Sequence, residues 1–254
     1  MNRVWHYHFG RGIVDTPNDF GRIGSKPTHP QLLDWLAVWF RDSGGSIKDL
    51  HRLILNTATY KQVSNHHQGN AAIDISNKYL WRQNRRRLDA ESLRDSVLIV
   101  SGKMNYEMGG PSFKDFVIEK PQHSPHYQYH KYDPDDPSTH RRSVYRFIVR
   151  SQPQPFMDTF DCADPSQLVD KRGETTTALQ ALALLNNNIM VKMSQRFAEN
   201  VSKNSNPVRK AFEMALSRVP AKDELDLLSS YEKRHGLAAT CRIIFNLNEF
   251  SFID

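Results

Sequence analysis

The sequence predicts a mainly α-helical protein, a single globular domain of about seven or eight helices with a long irregular central insertion and at most a small β element. Apolar residues recur at helical spacing over much of 1–104 and again over the C-terminal part, 144–254. Between them, residues 105–143 lose this periodicity and contain five prolines with several tyrosines and histidines. We therefore expect one domain, 1–254, in which two helical parts flank an irregular insertion.

The segment Asn84–Gly102 is predicted to contain the helix around which the other parts pack. Asp89 is a good N-cap, Glu91 lies in the first turn near the positive end of the helix dipole, and Gly102 can end the helix in a left-handed conformation. One face of this helix is apolar and carries Leu93, Val97 and Val100. Three arginines precede the cap, and an apolar helix that begins among so many cations needs carboxylates or a bound anion nearby.

Two further helices are predicted in the N-terminal part, where they form an αα-hairpin. Residues 28–31 read Thr-His-Pro-Gln, a capping box with proline near the first helical position, and two glycines at 44 and 45 end that helix. Ser46 begins the second helix. Residues 4–9 are compatible with a short helix or a strand, and residues 65–77 read as a polar loop.

The last 80 residues of the C-terminal part are predicted to be helical, and their helices begin at recognisable caps, which are Thr175–Thr177, Asn187 and Asn206. The first of these helices is expected to bury Ala178, Leu182 and Leu185. Two more helices are predicted at Lys222–His235 and Leu237–Leu247. Before all of them, Val144–Val149 reads as extended, and the prolines at 153 and 155 argue against regular structure.

Composition and charge exclude several classes of protein. No apolar run reaches the roughly 18 residues that a membrane-spanning helix requires. The chain begins without a charged and then apolar leader, so we expect no signal peptide in it, and its abrupt start suggests a piece of a longer protein. Cys162 and Cys241 accompany no haem-attachment or zinc motif. The net charge of +6 is spread along the chain, which argues against nucleic acid as a partner.

Ordered blocks of the sequence resemble those of one known family. They are N-R-V-W-x-x-H-F-G-R-G at 2–12, T-H-P-x-L-L-D-W-L at 28–36, N-R-R-R-L-x-A-E-x-x-R-D at 84–95 and T-T-x-x-x-Q-A-L-A-L-L-N ending at Asn186, with shorter blocks at 50–54, 58–60, 109–111 and 246–250. Over residues 2–254 the chain thereby resembles the C-terminal domain of unknown function of cytochrome-c-associated planctomycete surface proteins. Residues 112–142 and the pair Asn187 and Asn188 depart from the family pattern.

This resemblance implies an exported or cell-surface parent protein, in which a cytochrome-c-like domain and a second uncharacterised domain precede this one. Haem is then expected only in that separate domain, so we expect no cofactor in this chain. The neighbouring domains are the implied partners. The family brings no established catalytic residues, so the resemblance leaves open whether the chain is an enzyme.

Candidate ligand-binding residues are grouped around the predicted central helix and at the start of a later one. Guanidinium groups present a planar fork that fits oxyanions, and free N–H groups at a helix start also attract anions, so a sulfate ester or uronate is the favoured ligand. The alternatives are an internal ion-pair network that clamps the central helix and ordinary helix capping. The residues are Arg3, Arg85, Arg86, Arg87, Arg94, Arg172, Glu174 and Thr176.

Histidines, carboxylates and tyrosines supply the remaining candidates. His8 is a candidate general base, with Glu91 and Asp95 as catalytic carboxylates, against the alternative of a structural histidine. A metal-like spacing relates His123, His126 and His130, although a mobile polar loop is the alternative and we expect no metal. Aromatic residues that could stack on sugar rings, or else pack internally, are Tyr127, Tyr129, Tyr132 and Trp81.

Two functional hypotheses follow from these observations. The first is an uncharacterised accessory or interaction domain of an exported multidomain protein, which docks against its cytochrome-c-like and other neighbouring domains. The second is an enzyme or binding module that acts on an anionic, sulfated or uronic, polysaccharide through a pocket lined by arginine and histidine.

Overall fold

The computed structural model describes residues 1–120 and 124–253, and over these residues the chain is mainly α-helical. Twelve α-helices and two small two-stranded sheets are present in the described part. The prediction of a mainly α fold with a small β element is therefore confirmed. The helices outnumber the seven or eight expected for two reasons. Three of them span six residues or fewer, too short to show a helical period. A fourth, at the N-terminus, covers residues that the sequence leaves open between helix and strand.

The α-helices are α1 (Asn2–Phe9), α2 (Pro30–Asp42), α3 (Ile47–Leu55), α4 (Gln68–Ile73), α5 (Ala90–Val100), α6 (Pro155–Thr159), α7 (Ala178–Asn186), α8 (Asn188–Val201), α9 (Pro207–Leu216), α10 (Lys222–His235), α11 (Leu237–Asn246) and α12 (Asn248–Ser251). The strands are β1 (Arg86–Arg87), β2 (Val117–Glu119), β3 (His126–Gln128) and β4 (Phe252–Ile253), and short 3-10 turns lie at Pro137–Thr139 and Ser143–Tyr145. No helix of the described residues is both long enough and apolar enough to cross a lipid bilayer.

The chain divides into two compact units, Met1–Arg86 and Arg87–Ile253. Each unit contains its own cluster of buried apolar side chains. The division falls within the segment that the sequence places in its N-terminal helical part. The expectation of one domain with parts bounded at 104 and 143 stays a prediction.

In the first unit, α1, α2 and α3 supply most of a small apolar core, whose buried members are Trp5, Phe9, Ile13, Leu36, Leu50 and Ile54. Residues 4–9, left open between helix and strand, are helical in α1. Ser46 caps α3 as predicted, because its side chain accepts a hydrogen bond from the Asp49 N–H.

Two N-terminal predictions are wrong. The predicted capping box at Thr28 does not form, because α2 has His29 at its N-cap and the Thr28 hydroxyl lies 2.8 Å from the His29 Nδ1 atom. The predicted loop at 65–77 contains α4, whose N-cap His67 accepts a hydrogen bond from the Asn70 N–H through Nδ1 at 3.2 Å.

In the second unit, α5 lies in the larger core. Its buried apolar residues Leu93 and Val97 have no exposed surface, and α5 contacts α6 and α8. Asp89 caps it by accepting a hydrogen bond from the Ser92 N–H at 2.7 Å, and Gly102 follows it with a φ of 73°. The predicted burial, start and left-handed end of this helix are therefore confirmed. The most extensive helix pairing of this unit joins α8 and α11, where the rings of Phe197 and Phe245 stack.

The predicted inner face of α7 is wrong. Gln180 and Leu184 are the buried residues of this helix, whereas Leu182 is half exposed. The Gln180 amide donates to the Thr159 carbonyl at 3.0 Å and to the Thr175 hydroxyl at 2.9 Å. Those bonds satisfy a polar side chain in the interior. The buried face of α7 therefore differs from the face that its apolar residues indicate.

The irregular insertion contains a β element at a different place from the one predicted. Strands β2 and β3 pair antiparallel, with Ile118 opposite Tyr127, while Ser143–Tyr145 is a 3-10 turn rather than the extended chain expected for 144–149. The expectation that the prolines at 153 and 155 prevent regular structure is also wrong. Pro155 begins α6, a position at which the missing N–H costs nothing, and Gln154 caps the helix.

Candidate functional site

The Arg94 guanidinium is buried in the second unit and is hydrogen-bonded to backbone and side-chain oxygens. It donates to the carbonyl oxygens of Thr139 and Arg141 and to the hydroxyl of Ser143, and it lies over the Phe113 ring at 5.0 Å. The guanidinium therefore holds the insertion against α5. Because these acceptors satisfy its donors, the charge is tolerated in the interior.

Asp95, predicted as a catalytic carboxylate, supports the same contact between α5 and the insertion. Its Oδ1 atom accepts hydrogen bonds from the Ser143 N–H at 2.8 Å and from the Ser143 hydroxyl at 2.7 Å. The same atom lies 3.5 Å from the Arg94 guanidinium. Both residues are therefore part of one network within the unit.

A second network surrounds Asp161 and includes the predicted ligand-binding residue Arg87. The Arg87 guanidinium donates to the Asp161 carboxylate at 2.6 Å and to the Thr175 carbonyl at 3.0 Å. The Thr175 N–H and hydroxyl also donate to Asp161. Burial raises the pKa of Asp161, but the hydrogen bonds from Thr175 and Arg87 outweigh it, so the net pKa is below its usual value.

Glu91 and Arg172 form a bidentate ion pair at the first turn of α5. The Arg172 nitrogens lie 2.5 Å and 2.9 Å from the two Glu91 carboxylate oxygens. The Cys162 thiol lies 3.6 Å from the same carboxylate, and burial followed by the Glu91 charge raises the pKa of that thiol. This thiol is therefore mainly protonated near neutral pH, unlike the thiolate of a nucleophilic cysteine.

The two remaining candidates near α7, Glu174 and Thr176, are exposed. Thr177, one residue later, caps α7 by accepting from the Gln180 N–H, while the Gln180 side chain accepts from the Thr177 N–H. The predicted capping role of the threonine run is therefore confirmed at this residue.

In the first unit, His8 pairs with His51, since the His8 Nε2 atom lies 2.7 Å from the His51 Nδ1 atom. Tyr60 packs edge-on against the His8 ring. Burial first, and then the charges of His51 and Arg86, lower the pKa of His8. The lowered pKa favours the neutral form of the His8 ring.

The other arginines proposed for ligand binding in the first unit contact protein oxygens. Arg86 donates to the Tyr7 carbonyl at 2.5 Å, and Arg85 donates to the Ser64 hydroxyl at 3.3 Å. Arg3 donates to the Asn18 side-chain oxygen. Ligand binding by these three residues stays a prediction.

Two of the three histidines with metal-like spacing lie in the described part of the chain, and neither belongs to a metal cluster there. His123 lies outside the described residues, and His126 and His130 are exposed. His140, nearby in sequence, is buried and its Nε2 atom lies 2.9 Å from the Pro134 carbonyl oxygen. Among residues 1–120 and 124–253, no group of three or more histidine, cysteine or carboxylate side chains is placed to hold a metal ion.

Two cavities of the second unit lie beside or just after the insertion, and only the second has insertion residues in its wall. The first, of about 270 Å³, includes Arg146, Arg150 and Cys162 in its wall. The second, of about 260 Å³, brings two predicted stacking residues, Tyr129 and Tyr132, beside the asparagine run at 186–188. Tyr127 instead packs edge-on against Phe116, and Trp81, in the first unit, donates its indole N–H to the Asp74 carbonyl.

One buried carboxyl was missed by the analysis of the sequence. Asp115 is 2% exposed, and its Oδ1 atom has no hydrogen-bond partner among the described residues. Burial raises the pKa of Asp115, and the charges of Arg146 and Arg94 only partly oppose it. The residue lies in a segment without periodicity, so no local pattern distinguishes it from an exposed loop aspartate.

Comparison with known proteins gives one match. The sequence model of the family described as "PSD1: Protein of unknown function (DUF1553)" matches residues 1–231. No curated protein and no solved structure matches the chain.

Proposed function

The chain belongs to the PSD1 family of proteins of unknown function (DUF1553), and we propose that it is an accessory interaction domain of a longer multidomain protein. The proposed parent is an exported or cell-surface protein, and the proposed partner is its cytochrome-c-like domain. In this arrangement haem is carried by that partner, and the present chain contributes a docking surface and no catalytic group.

The surface of α2 is the observation that carries this proposal. Of the 13 residues of α2, only Leu36 is buried. Trp35 is 53% exposed, Val38 is 47% exposed, and the Trp35 ring is stacked with Trp39. Tryptophan is among the residues that contribute most to the binding energy of protein interfaces, because it buries a large area at little cost in conformational entropy.

A shallow apolar depression adjoins this surface. It is about 400 Å³ in volume and is lined by Trp39 and Leu53, with Asp49 and Arg52 at its side. A surface with an apolar centre and a charged rim is typical of protein interfaces. The proposed cytochrome-c-like domain would cover Trp35 and Val38 and meet this rim.

The arginine contacts of the second unit also favour an accessory role over the alternative function. Arg87, Arg94 and Arg172 all have protein partners within that unit. An enzyme or binding module for an anionic, sulfated or uronic, polysaccharide would require these guanidinium groups to exchange carboxylates and carbonyls for the ligand. That exchange would cost the stability that the internal contacts supply.

Calorimetric titration of the chain with the separately produced cytochrome-c-like domain of its parent tests the proposal. Trp35→Ala removes a central aromatic side chain, and we expect it to weaken binding by about 2 kcal/mol, or roughly thirtyfold. Leu227→Ala removes another exposed apolar side chain, on α10, and serves as the matched control. We expect Leu227→Ala to bind as the unchanged chain does.

Two results would contradict the proposal. One is the absence of binding between the unchanged chain and the cytochrome-c-like domain. The other is an equal affinity for Trp35→Ala and Leu227→Ala, with circular dichroism showing that both variants are folded. Titration with sulfated and uronic glycans separates the alternative, which predicts saturable binding that is lost at high salt.

A further inference from the structure

One cavity of the second unit is lined by residues from three segments that are far apart in the sequence. It lies between the segment after β3, the start of α6 and the junction of α7 with α8. Tyr129, His130 and Tyr132 come from the insertion, and Asn186 and Asn188 come from the asparagine run. The volume of about 260 Å³ is near the lower end for small-molecule sites, so the cavity suits a single ring rather than an extended chain.

The wall of this cavity has hydrogen-bonding groups but no aspartate, glutamate, lysine or arginine among the described residues that line it. Side-chain amides of Gln154, Asn186 and Asn188 can both donate and accept hydrogen bonds. A wall without lysine or arginine offers a carboxylate or sulfate no permanent positive charge, so the desolvation of an anion is compensated less well than that of a neutral ligand. It matches a ligand with many hydroxyl groups and no charge.

Of the two tyrosines in the cavity wall, Tyr129 is fixed by its contacts and Tyr132 keeps a protonated hydroxyl. Tyr129 is 8% exposed, its ring packs edge-on against Phe116, and its hydroxyl donates to the Gln152 carbonyl at 2.8 Å. Tyr132 is half-buried, and burial together with the Asp115 charge raises its pKa to about 12, against the opposing effect of Arg94. Its hydroxyl therefore stays protonated and can donate a hydrogen bond.

The amides are positioned by the helix ends that carry them. Gln154 uses its Oε1 atom to accept from the Met157 N–H at 2.7 Å, which leaves its Nε2 group to donate. Asn187 caps α8 by accepting from the Ile189 N–H at 3.1 Å. This cap sets the positions of Asn186 and Asn188, the last residue of α7 and the first of α8. Preorganised groups bind with a smaller entropy cost.

We propose that this cavity binds one neutral saccharide ring, with the Tyr129 and Tyr132 rings against its apolar faces. The Tyr132 hydroxyl and the side-chain amides of Gln154, Asn186 and Asn188 hydrogen-bond its hydroxyl groups. The proposal is independent of the docking role of α2, because all of these residues lie in the second unit and α2 lies in the first. Each can therefore fail without the other.

NMR titration of the full chain with methyl glycosides tests the proposal. The probes are the methyl glycosides of glucose, galactose, mannose, xylose, fucose and N-acetylglucosamine, and glucuronate is the anionic comparison. We expect at least one neutral glycoside to shift the side-chain amide signals of Asn186 and Asn188 saturably. We expect Tyr132→Phe, which removes one hydroxyl, and Asn188→Ala, which removes one amide, each to weaken that binding about tenfold, the effect of one or two hydrogen bonds.

Matched controls separate a local effect from a general one. Tyr106→Phe removes the hydroxyl of an exposed tyrosine outside the cavity, and Asn200→Ala removes an exposed asparagine near the other end of α8. We expect both controls to bind the glycoside unchanged. The proposal is overturned if no neutral glycoside binds saturably, if glucuronate binds the cavity at least as tightly, or if Tyr132→Phe and Asn188→Ala both retain full affinity.

Discussion

Arg94 is the residue whose burial is most informative about this protein. An arginine with 4% exposure would be very unfavourable in an apolar core without acceptors, yet its guanidinium reaches three oxygens of the insertion. The residue therefore anchors a part of the insertion that lies outside its β2–β3 hairpin. It fixes three points of an irregular backbone to a buried helix.

Replacement of Arg94 by methionine tests this role. The Arg94→Met change leaves the Thr139 and Arg141 carbonyls without their donor, and we expect the free energy of unfolding to fall by about 3–5 kcal/mol. Urea unfolding followed by circular dichroism measures it. Arg209→Met is the control, because the Arg209 pair with Glu213 is half exposed and is expected to contribute less than about 1 kcal/mol. Equal losses for the two variants would contradict the role assigned to Arg94.

At the scale of the element, α7 shows how one local motif and one buried side chain determine a helix together. Thr177 and Gln180 form a reciprocal capping box, which settles where the helix begins. Gln180 then donates to Thr159 and Thr175, which settles the face that the helix buries. The first effect acts within three residues, whereas the second includes a bond to Thr159, 21 residues away.

Adjacent threonines allow the cap to be measured directly. Thr177→Ala removes the acceptor for the Gln180 N–H, and we expect it to lower the free energy of unfolding by about 1 kcal/mol. Thr176→Ala changes the neighbouring exposed residue, which does not cap α7, and we expect a change of less than about 0.5 kcal/mol. Thermal and urea unfolding of both variants provide the comparison, and a larger loss for Thr176→Ala would show that the cap is assigned to the wrong residue.

At the scale of the whole molecule, the chain has two apolar cores of different size. The larger core contains side chains only from residues beyond 87, and α5 contributes Leu93, Val97 and Leu98 to it. The smaller core lies entirely within the first unit. Burial of apolar surface is the main favourable contribution to folding, so the second unit has the greater capacity to fold alone.

Truncation tests this difference. We expect a fragment of residues 87–254 to unfold cooperatively on heating and to keep a helical circular dichroism spectrum. The control is a fragment of residues 105–254, which lacks α5 and therefore the fully buried core side chains of Ala90, Leu93, Val97 and Leu98. We expect it to lack a cooperative transition. Similar behaviour of the two fragments would contradict the central place of α5 in this unit.

The sequence alone determined the fold class and the start of several helices. Ser46, Asp89 and Asn187 were each predicted to begin a helix, and each caps one. These predictions succeed because a cap and the N–H groups that it satisfies lie within a few residues of each other. The spacing of apolar residues and the presence of an N-cap residue are local properties, so they can be recognised without knowledge of the rest of the chain.

The partners of the candidate site residues were decided only by the tertiary structure. The sequence singled out Arg87, Arg94 and Arg172 as cations that need carboxylates or an anion, but Asp161, the carbonyls of the insertion and Glu91 became their partners through folding. The sequence likewise could not place Tyr132 beside Asn188. Those contacts join residues 45 to 81 positions apart, and only the packing of the apolar core brings such distant segments together.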